Sequence, residues 1–275
     1  MSAFAAIAFC TLFFNWVDSA FSAPICAAQP PDMYQYVPEN VGPDCWNALY
    51  PDICADGGYQ SPFEIDPRVA VRANLPKLKF FYTVGHITNI DHGDQISIDH
   101  GAGNYIMIGK QRYNLAGIHV HTPAEYQIAG RPQSPLEIHF VHADPTGTKF
   151  AVVGVLVNSG KPDDGILEPP SCNDPDEVDI EVNQLIPPKS KRDYWRFDGS
   201  LTTPTLGRPA TLPPPPYCGE AILWTEMKTP ITMSPGQIAA FECSTMATYG
   251  TSVNARPLQP ANSRVIASPR LNLDP

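Results

Sequence analysis

Between Lys77 and Val157 the chain changes character every few residues, and this rhythm limits the folds open to it more than any other feature. Leu78, Phe80 and Tyr82 stand at every second position, the period at which strand side chains return to one face. Further apolar or β-branched runs follow at residues 95–98, 105–108, 118–121, 136–141 and 151–157, bounded by turn-forming residues. The intervals are too short for the crossover helices that parallel strands require, so neighbouring runs are expected to pair antiparallel. Helical periodicity is poor throughout. The expected fold is mainly β: a single domain built on a large, twisted, mostly antiparallel central sheet, with short peripheral helices.

Composition adds bounds. Proline, at 31 of 275 residues, marks a loop-rich chain, but 43% hydrophobic residues supply ample core. Residues 162–188 are Pro/Asp-rich and read as surface connection, and Pro213–Pro216 must be extended, without backbone donors. With 18 Lys+Arg against 28 Asp+Glu, the formal charge of −10 would repel nucleic acid or an anionic membrane surface. Residues 3–14 form an apolar run interrupted only by Thr11, and Ala20-Phe21-Ser22 offers a small-x-small cleavage signal. Residues 1–22 therefore resemble a secretory signal peptide, leaving a domain from residue 23 to residue 275. The run is too short to anchor the chain across a bilayer. A secreted, extracellular location is expected. Removal of Cys10 leaves Cys26, Cys45, Cys54, Cys172, Cys218 and Cys243, an even number that suits an oxidising compartment.

All seven histidines fall between His86 and His142. His119 and His121 sit at i and i+2 of an expected strand and so share a face. A neighbouring strand carrying Glu137-Ile138-His139 could bring His139 opposite them. Three imidazoles leave the fourth position of a tetrahedral zinc ion open, the pattern of a catalytic site. A His-x-His pair alone is a weak motif, and a surface strand could carry it idly. His142, three residues from His139, should turn away from that face and pack.

Several words in one order strengthen the reading: Gln60-Ser61-Pro62, Gly117-Ile118-His119-Val120-His121-Thr122-Pro123-Ala124-Glu125, Glu137-Ile138-His139-Phe140-Val141-His142, Asp193-Tyr194-Trp195, Gly199-Ser200-Leu201-Thr202-Thr203-Pro204 and Asn254-Ala255-Arg256-Pro257-Leu258-Gln259-Pro260. From Gly42 to Arg264 the chain resembles the alpha-class carbonic anhydrases. The resemblance implies Zn2+ held by His119, His121 and His139, with Glu137 supporting a ligand ring from behind. It implies that Thr202, hydrogen-bonded to Glu125, orients the attacking hydroxide. Val141, Val152, Leu201 and Trp224 would form a carbon dioxide pocket with Thr203 at its mouth, and His92 would carry the released proton to solvent. It also pairs Cys54 with Cys218 and leaves the pairing of Cys26, Cys45, Cys172 and Cys243 open.

The expected activity is reversible hydration of carbon dioxide to bicarbonate and a proton, on small-molecule substrates alone. The alternatives are a catalytically silent binding or matrix protein of the same fold and a zinc esterase. Four departures from the family pattern stand out. Gly117 lies where a Gln often supports the first ligand, Asp91 precedes His92 in place of Gly, Tyr126 follows Glu125 in place of His, and a Pro-rich insertion separates Thr205 from Cys218.

Overall fold

The computed structural model describes residues 25–28, 34–51, 54, 57–87, 96–98, 103–161, 178–204 and 218–270. Residues 1–22, His92, His100, Cys172 and the Pro-rich insertion lie outside the described residues. Fifteen strands appear among the described residues: β1 (Glu64–Ile65), β2 (Val71–Ala73), β3 (Leu78–Phe81), β4 (Val84–Ile87), β5 (Ile96–Ile98), β6 (Tyr105–Ile108), β7 (Gln111–His121), β8 (Gln127–Ile128), β9 (Leu136–Ala143), β10 (Phe150–Ser159), β11 (Val178–Glu181), β12 (Tyr194–Gly199), β13 (Ile222–Met227), β14 (Ile231–Met233) and β15 (Ala267–Pro269). Eleven of them form one sheet ordered β2-β15-β12-β13-β10-β9-β7-β6-β3, with β14 beside β10 and β5 beside β7.

The expectation of a mainly β fold on a large, mostly antiparallel sheet is met. The sheet neighbours β6, β7, β9 and β10 pair antiparallel, with β6–β7 and β9–β10 joined by short turns and β8 lying in the connection between β7 and β9. Where the chain returns after a long excursion, pairing is parallel: β13 and β14 against β10, and β2 against β15. The sheet is therefore mixed at its centre. It is buried on both faces there, which explains why β9 and β10 read as nearly continuous apolar runs.

The two faces are distinct. One carries Ile118, Val120, Ile138, Phe140, Val153 and Val155 into the larger core. The other carries Val152, Trp195, Phe197, Ile222 and Trp224 into a second core with Phe63 and Tyr126. His142 points to the first face, fully buried, where its ring contacts the Tyr82 hydroxyl at 2.7 Å and the Ala151 carbonyl at 3.2 Å. It packs away from the other histidines, as the two-residue period requires.

The main departure from the sequence reading is α1 (Pro235–Tyr249), a helix that poor apolar periodicity hides. Its ends are well specified. The Ser234 hydroxyl accepts from Gln237 N while Gln237 Oε1 accepts from Ser234 N, a reciprocal cap of about 1 kcal/mol. At the other end Gly250 adopts φ 70°, which a Cβ would strain.

Two disulfides lie in a small aromatic cluster with Tyr34, Tyr36, Trp46 and Tyr50. Cys54 joins Cys218, the pair the resemblance implies, and Cys26 joins Cys45, one of the open possibilities. Cys243 is also disulfide-bonded.

Candidate active site

The site is a consequence of strand register. His119 of β7 lies opposite His139 of β9, and His121 opposite Glu137. These side chains project from the face that also carries Val141, Val152 and Trp224, which form the next transverse row. The ring centroids of His119, His121 and His139 stand 4.7–5.2 Å apart. One ligating nitrogen from each lies within 4.8 Å of the other two, and among the described residues this is the one metal-competent cluster.

The hydrogen bonds decide which nitrogens face inward. His121 Nδ1 is held by the Asn254 carbonyl at 2.8 Å, and His121 Nε2, buried, has no hydrogen-bond partner. His139 Nε2 is held by Glu137 Oε1 at 2.9 Å, which leaves Nδ1 for the centre. Glu137 is itself fixed, because its Oε2 accepts from the Glu125 and Tyr126 amides at 2.8 Å each. Acceptors behind the rings make them better ligands and lock their tautomers. His119 has open space beneath it: nothing lies within 4 Å of a Cβ on Gly117. Its ring makes no hydrogen bond to the described residues.

Electrostatics favour neutral imidazoles, the form that binds a metal. Burial pushes His139 down to about 4. Burial, reinforced by the other two imidazoles, holds His119 well below its ordinary value, and burial lowers His121 against the opposing pull of Glu125. Three neutral nitrogens, one of them an orphaned buried acceptor, fit a divalent metal and fit little else. Donors no more than 4.8 Å apart need shifts below about 1 Å to reach Zn–N distances of about 2.0–2.1 Å.

Glu125 is buried beside the trio. Its Oε1 accepts from Arg256 N at 2.9 Å, while Oε2 has no hydrogen-bond partner and lies 3.4 Å from His121 Nε2. Thr202 shares a pocket wall with His119, His139, Val141, Val152, Leu201, Thr203 and Trp224, so the expected apolar residues do meet the histidines. Thr202 makes no hydrogen bond to Glu125 in this arrangement. Its loop is anchored by Cys218 N donating to the Thr203 carbonyl at 3.2 Å, next to the Cys54–Cys218 bridge. Tyr126 occupies its departure from the family pattern without disturbance: its hydroxyl donates to Ser61 Oγ at 2.7 Å and its ring packs edge-on against Phe63 and Trp224.

A family model described as eukaryotic-type carbonic anhydrase matches residues 41–270. The chain belongs to this carbonic anhydrase family. A carbonic anhydrase of Pectobacterium carotovorum is 30% identical over 236 residues, covering 82% of this chain and 87% of that protein. The alpha-carbonic anhydrase of Thermovibrio ammonificans, solved with the inhibitor sulfanilamide, superposes with a TM-score of 0.68 at 30% identity, covering 85% of this chain and 98% of that one. Dioscorin dioA3 of Dioscorea japonica is also similar, 30% identical over 90% of this chain and 89% of its own. In this member of the family the three metal-competent histidines among the described residues stand in one cluster.

Sequence reasoning gave no role to three residues that build the site. Asn254 and Arg256 reach the site through backbone atoms, held in place by side-chain hydrogen bonds to distant segments, Asn254 to Thr122 N and the Val120 carbonyl and Arg256 to Gln60 and Ser61, which spacing along the chain does not reveal. Glu226, on β13, does leave one, as a lone carboxyl inside the apolar stretch from Ile222 to Met227.

Proposed function

We propose that the chain is a secreted, zinc-dependent catalyst of the reversible hydration of carbon dioxide. The observation that carries this reading is the cluster of three neutral imidazoles, His121 and His139 buried and His119 half-buried, with an apolar wall beside it. His119, His121 and His139 would hold the ion, which when bound supplies a Lewis acid able to bring the pKa of water near neutrality. Glu137 keeps a proton on His139 Nε2 and so keeps Nδ1 free to ligate. Val141, Val152, Leu201 and Trp224 offer a dry surface to an apolar substrate and exclude bulk water. Thr203 stands at the mouth of that pocket. Thr202, on donating a hydrogen bond to the unpartnered Glu125 Oε2, would orient the oxygen that attacks carbon dioxide. His92 would accept the proton and pass it to buffer, since an imidazole titrates near neutral pH. Two disulfides support an extracellular setting, and no helix among the described residues is long and apolar enough to cross a membrane. Removal of residues 1–22 would leave Ala23 at the start of one domain running to residue 275.

Similarity to dioscorins, one of which is solved in complex with ascorbate, favours a second reading, a binding protein on the same fold. Stopped-flow carbon dioxide hydration on zinc-loaded protein, run beside an ester-cleavage assay, separates the readings. Hydration abolished by His119→Ala together with bound zinc supports the proposal. Zinc bound without hydration overturns it in favour of the binding protein, and ester cleavage without hydration in favour of an esterase. Replacing His92 by Ala should slow turnover in dilute buffer, with recovery on adding imidazole.

A further inference from the structure

Glu226 has no place in the chemistry above, yet it is fully buried and stands in the same transverse row as the proposed ligands. His119 of β7 pairs with His139 of β9, His139 with Gly154 of β10, and Gly154 with Glu226 of β13. The glycine is what makes the row possible. A Cβ on Gly154 would collide with Glu226 Oε2 and would stand 3.0 Å from Glu137 Oε1, so the two carboxyl groups face each other across the space a side chain would fill.

Their surroundings are unequal. Glu137 accepts from two backbone amides and from His139 Nε2. No protein N–H or O–H donates to either oxygen of Glu226. Two buried carboxylates this close, with no cation between them, cannot both stay charged. The three donors stabilise negative charge on Glu137, so the proton resides on Glu226, where it is the one donor available to the pair.

We propose that Glu226 is a positioning residue of the metal centre: its neutral carboxyl donates a hydrogen bond to Glu137 and thereby moderates how strongly Glu137 draws on His139. Burial and the facing charge of Glu137 both hold the Glu226 carboxyl well above the usual range, consistent with that assignment. A donor on Glu137 withdraws negative charge from the acceptor behind His139 and makes the ring a weaker electron donor. The consequence is a trade, with looser zinc and a more acidic site. The proposal rests on the metal reading above.

Two variants test it. Glu226→Gln keeps a neutral donor of the same shape. Glu226→Val removes the donor and fills the space with carbon. Zinc dissociation constants, by chelator competition at pH 8, should be within about twofold of wild type for E226Q and about three- to tenfold tighter for E226V, with the pH midpoint of hydration moved upward in E226V alone. Infrared difference spectra of the metal-free protein at pH 8 should show the C=O stretch of a neutral carboxylic acid in wild type, lost in E226Q. Thermal melts of metal-free protein report folding separately. Absence of the acid band overturns the proposal with no zinc involved, as do equal zinc affinities and pH midpoints in all three proteins or equal displacement in both variants. Wild-type protein that shows the acid band but holds no zinc overturns the metal reading and, with it, the role given to Glu226.

Discussion

Glu137→Gln is the sharpest test of how the ligand set is held. The wild-type carboxylate accepts three hydrogen bonds, two from backbone amides at 2.8 Å and one from His139 Nε2 at 2.9 Å. A glutamine has one acceptor oxygen and one NH2. With the oxygen toward the amides, the NH2 confronts His139 Nε2, which must then accept, placing the ring proton on the nitrogen meant for the metal. With the amide reversed, NH2 meets two N–H groups and both lose their acceptor. The first arrangement keeps its hydrogen bonds but puts the wrong tautomer toward the metal; the second strands two amide N–H groups in a dry site, a cost of about 1–3 kcal/mol. In either case the carboxylate acceptor of His139 is gone, a loss that typically weakens metal binding about 10- to 100-fold, equivalent to about 1.4–2.8 kcal/mol. Chelator competition measures the affinity, and melts of the metal-free protein show whether the fold survives. An E137Q protein that is folded and binds zinc within about twofold of wild type would refute the reasoning.

Two further outcomes follow from the same geometry. Burial lowers His139 from 6.5 to about 4, so between those values the unfolded chain takes up a proton that the native state refuses; this group alone should cost the metal-free protein about 3 kcal/mol as pH falls through that window. Glu137 and Glu226 contribute in the opposite sense, because their raised carboxyls bind protons first in the native state, so the His139 effect is read as the difference in pH dependence between wild type and His139→Ala. Urea titrations at pH 7 and pH 4 check this, and a slope unchanged in His139→Ala counts against it. The Cys54–Cys218 bridge spans 164 residues, for which loop entropy allows a stabilisation of up to about 5 kcal/mol. The double variant C54S/C218S should melt well below wild type, and an unchanged melting temperature would show that the bridge contributes little.

The legible parts of the fold are those set by local period. Alternation of Leu78, Phe80 and Tyr82 and the run of 105–108 coincide with β3 and β6, and the His119–His121 pair shares a face because the strand period is two. The helix at Pro235–Tyr249 escaped because its buried residues include Gln237, Ser244 and Thr245 beside Ile238 and Phe241, which flattens the apolar contrast on which periodicity depends. Its signal lies at the ends instead, in Ser234-Pro235-Gly236-Gln237 and in Gly250.

The site divides along the same line. The two histidines of one strand are a local fact, but the approach of His139 depends on the register of β7 against β9, and that of Glu226 on the parallel pairing of β10 with β13. Parallel partners far apart in sequence share no turn whose length could fix their register. What fixes it here is side-chain volume: Gly154 between His139 and Glu226, and Val152 between Val141 and Trp224. One residue of slip along β13 would turn Trp224 and Glu226 to the opposite face and strip the pocket of its indole wall. The register that builds the apolar pocket therefore also buries a carboxyl behind the proposed ligand His139, and a sequence could remove that carboxyl only by changing Glu226 itself.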